Sequence, residues 1–480
     1  MIARYIAVFL YATMIIIIGI KGSRKTKSFD DFTLGGGKVG PWMTAFSYGA
    51  AYFSAVLFIG FAGKIGWAFG LSGLWIALGN TLVGTLGVWL ILGHKVKQQA
   101  IAYDVHTMPE LLEARYNCPF LKIFTSAAIF IFFIPYTAAV FMGLSYLFEF
   151  TFNMPYTYVL LFMGIFTGIY LIMGGYKSMA MIDVIFGMIM IVGVIILLVS
   201  TIHRGGGIPN IITVLRDINP KLAAPIGPPG FIPLASLVIL TSIAPFAMPH
   251  LLQKFYAVKD ERSVKIGTYA STVFALLVVG IAYFTGALTR VFLNPATSPA
   301  AFTASGKPIF DALMPEMLVT VIPSALTVII LLLILAASMS TLASLVLISS
   351  TSITKDIYKG FINRDASDQK LTSTVRIGSA FFIMLSMLLA FLKPAIIVTI
   401  LSVSWGAIAS VFLGPFIWGI FNKKVNQLGA IAGSVGGLAI CLVLFLVWGS
   451  KMVPQAASVG MIASLVLVPI FSLFGKKNIS

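Results

Sequence analysis

Apolar runs recur from one end of the chain to the other, among them residues 7–20, 188–200 and 328–335. The hydrocarbon core of a bilayer is about 30 Å thick and offers no water to backbone polar groups. A chain written this way must therefore close its backbone hydrogen bonds inside helices, because the short alternating segments of a β-barrel are missing. With 59% hydrophobic and 10% charged residues in 480, there is too little polar surface for a water-soluble fold. The expected class is an all-α polytopic membrane protein. About thirteen transmembrane helices are predicted near 2–21, 41–66, 70–94, 120–148, 156–174, 182–202, 231–254, 266–292, 322–350, 374–392, 394–421, 428–449 and 455–474.

The net charge of +17 could point to nucleic acid or anionic lipid. Its distribution points elsewhere. If the loops alternate between two sides, 23 of the 32 lysines and arginines fall on one of them, Lys254 included. The positive-inside rule then puts the N-terminus outside, the C-terminus in the cytoplasm and the chain in the plasma membrane, with no nucleic-acid partner. The first apolar stretch is as long as a bilayer is thick, so it reads as a retained span and not a cleaved leader. No loop is long enough for a soluble domain. Cys118 and Cys441 are expected to form neither a disulfide nor a metal site.

Two spans are poor helices. The second carries Gly49, Gly60 and Gly63, with Ser47 and Ser54 beside the first. The seventh carries Pro245 and Pro249, each of which removes a backbone donor. Interrupted helices persist in lipid where they line an enclosed cavity, and these two lie five spans apart and so run in opposite directions. That is the layout of an inverted-repeat transporter, although simple kinks would leave the same trace. Segments 203–230, rich in glycine and proline, and 293–321, in which TSPAAFTASGKP looks irregular, read as connectors or lids.

Stretch 331–359 places Ala336, Ala337, Ser338, Ser340 and Thr341 near the middle of a span. Small residues let helices approach closely, and hydroxyls in hydrocarbon need a partner. The stretch suits a packing seam and equally an ion site. Of fifteen acidic residues most fall in predicted loops, including Asp311 and Asp356, and Asp183 is the one expected to enter a span. It is a functional candidate by its cost in lipid, or else a partner for Lys177 or a charge at a helix start. With no carboxylate at mid-membrane, a proton relay is poorly supported. Sodium, a hard ion satisfied by neutral oxygens, suits the hydroxyls of Ser340 and Thr341 with carbonyls freed by a break near Gly49. No GxxxxGK[ST], HExxH or GxSxG is present, so no ATP-driven pump or enzyme is indicated. His250, beside Pro249, reads as a structural hydrogen-bonder.

SFDDFTLGGGKVGPWMTAFSYGAAYFSAVLFIG, GGYKSMAMIDVI, MPHLLQKFYAVKD and AASMSTLASLVLISSTSITKDIYK together resemble the sodium/solute symporter family, in its bacterial proline, pantothenate and monocarboxylate branch. The resemblance spans about residues 28–420. It implies a leucine-transporter-type core of five plus five inverted helices. Residues 1–27 would be a leading helix, 28–202 and 231–421 the repeats, and 422–480 extra C-terminal helices. It implies sodium as the co-transported ion, held by backbone carbonyls of Ala50, Phe53 and Ala337 and the hydroxyls of Ser340 and Thr341, with Asp183 on the ion's release path. It also implies a solute pocket at Tyr52, Ala55, Val56, Tyr136, Thr241, Pro245 and Pro249. Tyr52 stands where proline carriers have an aspartate. The expected activity is import of a small organic solute, an amino acid such as proline or a monocarboxylate- or pantothenate-like acid, by alternating access. Its partners would be the solute, sodium and lipid, with no obligatory protein partner. A non-transporting sensor on the same fold is the alternative.

Overall fold

The computed structural model describes residues 2–23, 28–35 and 39–475. The glycine-lysine stretch 36–38 of the first motif, the basic residues 24–27, the last five residues and the Lys177 side chain lie outside the described residues. Almost everything described is helical or connects helices, and the β pairing among the described residues is limited to the isolated bridges Val39–Val258 and Phe302–Pro308. Ten described helices are long and apolar enough to cross a membrane, and Arg4–Ile20 and Tyr156–Ile169 are shorter apolar ones.

Two glycines divide stretches too long for one bilayer. The 47 residues of Val56–Ala102 would extend about 70 Å as a straight helix. Gly70, at φ +60, turns the chain there and lies against Leu222, where any Cβ would strike backbone at 2.2 Å. Likewise Tyr156–Arg204 is parted at Gly175, with φ 62 and ψ 179. Both conformations are open to glycine and costly for other residues.

The first broken helix runs as Pro41–Tyr52, leaves helical geometry at Phe53 (φ −112, ψ 112), and resumes over 56–69 with a π-helical first turn. The break thus falls beyond Gly49. Gly49 is helical, and its missing Cβ makes room for the Phe274 ring, 2.4 Å from where a Cβ would stand. A serine makes the break tolerable. Ser54 Oγ accepts the N–H of Val56 at 3.2 Å, and the N–H of Ala55 donates to Ser338 Oγ at 2.9 Å. Local hydroxyl–backbone bonds of this kind replace the helical ones.

The second broken helix runs Phe231–Ile243, tightens into a 3-10 turn at Ala244–Ala247, extends at Met248 and restarts at Pro249–Ala257. Pro249 opens the new helix, where its absent N–H costs nothing. The hydroxyl-bearing helix Ser324–Thr351 packs against the first broken helix and the Tyr156–Arg204 segment, and its middle is fully buried.

Several loop assignments are corrected. Segment 293–321 includes the helix Phe310–Val321, and 203–230 includes Ile208–Ile218. Asp311 is buried and accepts the N–H of Ile397 at 3.1 Å, at the start of the helix Ile397–Phe421. Asp356 is fully buried, accepting hydroxyls from Thr107 at 2.8 Å and Ser126 at 3.2 Å. Lys254, counted with the loop cations, is also fully buried. In the sequence Asp311 and Asp356 read as loop residues and Lys254 as the end of a span, but tertiary partners draw all three inside.

Candidate functional site

Thr341 and the first broken helix meet oxygen to oxygen. Thr341 Oγ1 lies 3.3 Å from the carbonyl oxygen of Ala50, 3.1 Å from that of Ala51 and 3.1 Å from that of Ala337. One hydroxyl carries one proton, so it cannot satisfy three acceptors at once. Ser340 Oγ is buried, makes no hydrogen bond of good geometry and lies beside the Asp183 carboxylate. The Thr341 hydroxyl and these carbonyls form a buried cluster of neutral oxygens, the donor set that a small hard cation takes in place of water. Three or more His, Cys, Asp or Glu side chains grouped for a metal occur nowhere among the described residues.

Of the expected sodium ligands, the structure brings together Ala50, Ala337 and Thr341, with Ser340 the next residue on the same helix. The carbonyl beside the Thr341 hydroxyl is that of Ala51, and Phe53 instead lines a cavity between the broken helices. Because the break falls at Phe53 and not at Gly49, the contributing carbonyls belong to the last helical turn before it.

Asp183 is fully buried, and its Oδ2 accepts the hydroxyl of Ser47 at 2.5 Å. Its Oδ1 has no partner, and Ser340 lies close enough to act on its charge. The carboxylate therefore faces the first broken helix, one turn from the oxygen cluster.

Between the broken helices lies a cavity of about 30 Å³ lined by Tyr52, Phe53, Ser54, Val56, Tyr136 and Thr241, together with Asn80, Tyr283 and Trp405. It has room for about two waters, so a solute enters only when the helices separate. Larger clefts of about 620 and 470 Å³ exist, but apolar side chains line both almost entirely, and they offer a polar solute nothing to bind. The Tyr52 hydroxyl donates to the Thr241 carbonyl at 2.7 Å and lies 3.3 Å from Asn80 Oδ1, tying three helices together. Trp405 stacks on Tyr52 with ring centroids 5.8 Å apart and meets Tyr136 edge-on at 5.9 Å. Its indole N–H lies beside the Tyr136 hydroxyl without reaching hydrogen-bond geometry.

Tyr52, Val56, Tyr136 and Thr241 thus line the cavity as expected, whereas Ala55, Pro245 and Pro249 do not. Ala55 packs on Gly143, Pro245 packs against Gly84, and Pro249 starts the second limb. Asn80, Tyr283 and Trp405 line the cavity as well. Trp405 gives no local signal in an apolar span, and Asn80, a lone amide in the third predicted span, was the detectable one.

A helical bundle with two interrupted helices, an oxygen cluster at one break and an aromatic cavity between them defines a membrane transporter of the leucine-transporter type. A solved Na+-coupled sialic acid symporter, in a substrate-bound outward-open state, matches with a TM-score of 0.80 at 19% identity, over 99% of this chain and 98% of that one. The model of the sodium:solute symporter family matches residues 32–437, and the chain belongs to that family. It is a sodium-coupled solute transporter and not an enzyme. Among its relatives, the osmoregulated proline transporter OpuE of Bacillus subtilis (strain 168) is 26% identical over 98% of this chain and 94% of its own length. The sodium/pantothenate symporter of Escherichia coli (strain K12) is 28% identical over 91% of this chain and 89% of its own length.

Proposed function

We propose that this chain imports a small carboxylate-bearing solute by alternating access, driven by sodium held between the first broken helix and the hydroxyl-bearing helix. The observation that carries the sodium assignment is the convergence of three backbone carbonyls on the Thr341 hydroxyl. Ala50, Ala51, Ala337, Ser340 and Thr341 are the proposed ion ligands, and Asp183 lies on the ion's route to the cytoplasm. The solute site is the cavity at Tyr52, Val56, Tyr136, Thr241, Asn80 and Trp405.

Two observations support the solute class. The cavity lining contains no acidic or basic side chain, so a solute's negative charge would be met by sodium itself and by the partial positive charge of restarting helices. The named relatives carry proline and pantothenate, both of which bear one carboxylate. Thirteen spans, a five-plus-five inverted repeat over 28–202 and 231–421, and an N-terminus outside complete the reading. The membrane potential then drives sodium inward with about 2.3 kcal/mol per charge per 100 mV.

The test is uptake into liposomes of proline, pantothenate, short monocarboxylates and a neutral sugar, each with a sodium or a potassium gradient. Accumulation of a carboxylate only in sodium is the expected result. Accumulation of the sugar alone overturns the solute class, and a protein that binds these solutes but moves none is a sensor.

A further inference from the structure

Lys254 is buried where a lysine has no ordinary reason to be. It lies on the second limb of the second broken helix, fully enclosed. Its Nζ donates to Ser344 Oγ at 3.2 Å and stands 4.9 Å from the centre of the Tyr176 ring. Ser344 is one helical turn beyond Ser340 on the same helix, so the ammonium lies just below the oxygen cluster. Across from it is Asp183, within electrostatic reach but outside ion-pair distance, with one carboxylate oxygen unpartnered. The other titratable groups facing the ammonium are Tyr176 and, one turn back on its own helix, His250.

A buried lone charge is costly, whereas a buried pair is tolerable when the remaining polar atoms are satisfied. Asp183 and Lys254 together sum to zero. A sodium ion beside Thr341 adds one positive charge to that balance, and a second ion at Asp183 would put two mobile cations and an ammonium around one carboxylate. We propose that Lys254 is a tethered cation: its ammonium, and not a second sodium ion, balances Asp183, so the carrier binds and moves one sodium per cycle. When the ion at Thr341 leaves past Asp183, the ammonium takes over that carboxylate, and the empty carrier returns without an unpaired buried charge. The inference rests on the sodium reading above and goes beyond it by assigning the cation count to a side chain.

The experiment is direct binding of radioactive sodium to the purified full-length chain, counted per protein at saturation. Wild type is expected to bind one ion. Lys254→Met and Lys254→Gln, which keep most of the volume and drop the charge, are expected to bind two. Adding Asp183→Asn to either is expected to return the count to one. A wild-type count of two overturns the proposal without any variant, and so does a count of one in a monodisperse Lys254→Met or Lys254→Gln protein. Thr341→Ala separates this from the underlying reading. If it binds sodium as wild type does, the oxygen cluster is not the ion site, whatever Lys254 does.

Discussion

The Thr341 hydroxyl stands 3.1 Å from the carbonyl oxygen of Ala51, a residue 290 positions earlier in the chain. Helices approach this closely only where side chains are small, and the stretch Ala50, Ala51, Ala336, Ala337 supplies that on both sides. Removing the hydroxyl deletes a proposed ligand and leaves carbonyls facing one another. Thr341→Ala is expected to weaken sodium binding by about 10- to 100-fold, the size of one hydrogen bond to a charged group. Thr341→Ser is expected to stay near wild type. Sodium-dependent thermal stabilisation, titrated against potassium, measures both.

Trp405 brings to the proposed solute cavity an indole N–H that lies beside the Tyr136 hydroxyl without hydrogen-bond geometry to it. Trp405→Phe keeps an aromatic ring against Tyr52 and Tyr136 and removes the donor. The expected outcome is a KM for the carried solute raised about 3- to 10-fold, the value of one neutral hydrogen bond, with sodium affinity unchanged. An unchanged KM would make Trp405 a packing residue only.

Gly66 and Gly286 let two helices touch backbone to backbone, and a Cβ on Gly66 would lie 2.0 Å from the Gly286 carbonyl carbon. Backbone cannot step aside as a flexible side chain can. Gly66→Ala is expected to destabilise the fold by about 1–3 kcal/mol or more, seen as a lower Tm in detergent. Gly280→Ala, inside the helix Glu261–Ala287 where nothing lies within 4 Å, is the matched control and is expected to leave Tm unchanged or slightly raised.

Burial pushes the Asp311 carboxyl up to about 6, against the pull of the Ile397 N–H. Between the ordinary carboxylate value near 4 and this one, the folded protein binds more protons than the unfolded chain, so stability falls as pH rises through that window. The shift of about two units corresponds to roughly 3 kcal/mol, lost by neutral pH. Asp311→Asn keeps an acceptor for Ile397 without the charge. It is expected to flatten the Tm profile between about pH 4 and 6 and to raise Tm at pH 7. An unaltered profile would assign the pH dependence to other groups.

Much of this is legible in the sequence alone. Apolar run length defines helices, Pro245 and Pro249 mark a break, and the motif 331–359 points to an ion site. Other features were legible only in part. Gly49 looked like the break because glycine weakens helices, yet it serves a neighbouring ring, and the break follows where Ser54 and Ser338 can satisfy freed N–H groups.

The membrane class, the two interrupted helices and the pair of adjacent hydroxyls are written in local composition and spacing. Which carbonyls face Thr341, that Trp405 and Asn80 share a cavity with Tyr52, and that Lys254, Asp311 and Asp356 are buried all depend on how the helices pack. Charge in a sequence looks the same whether water or a partner will satisfy it. Which of the two does so depends on chain segments that lie hundreds of residues apart until the helices pack.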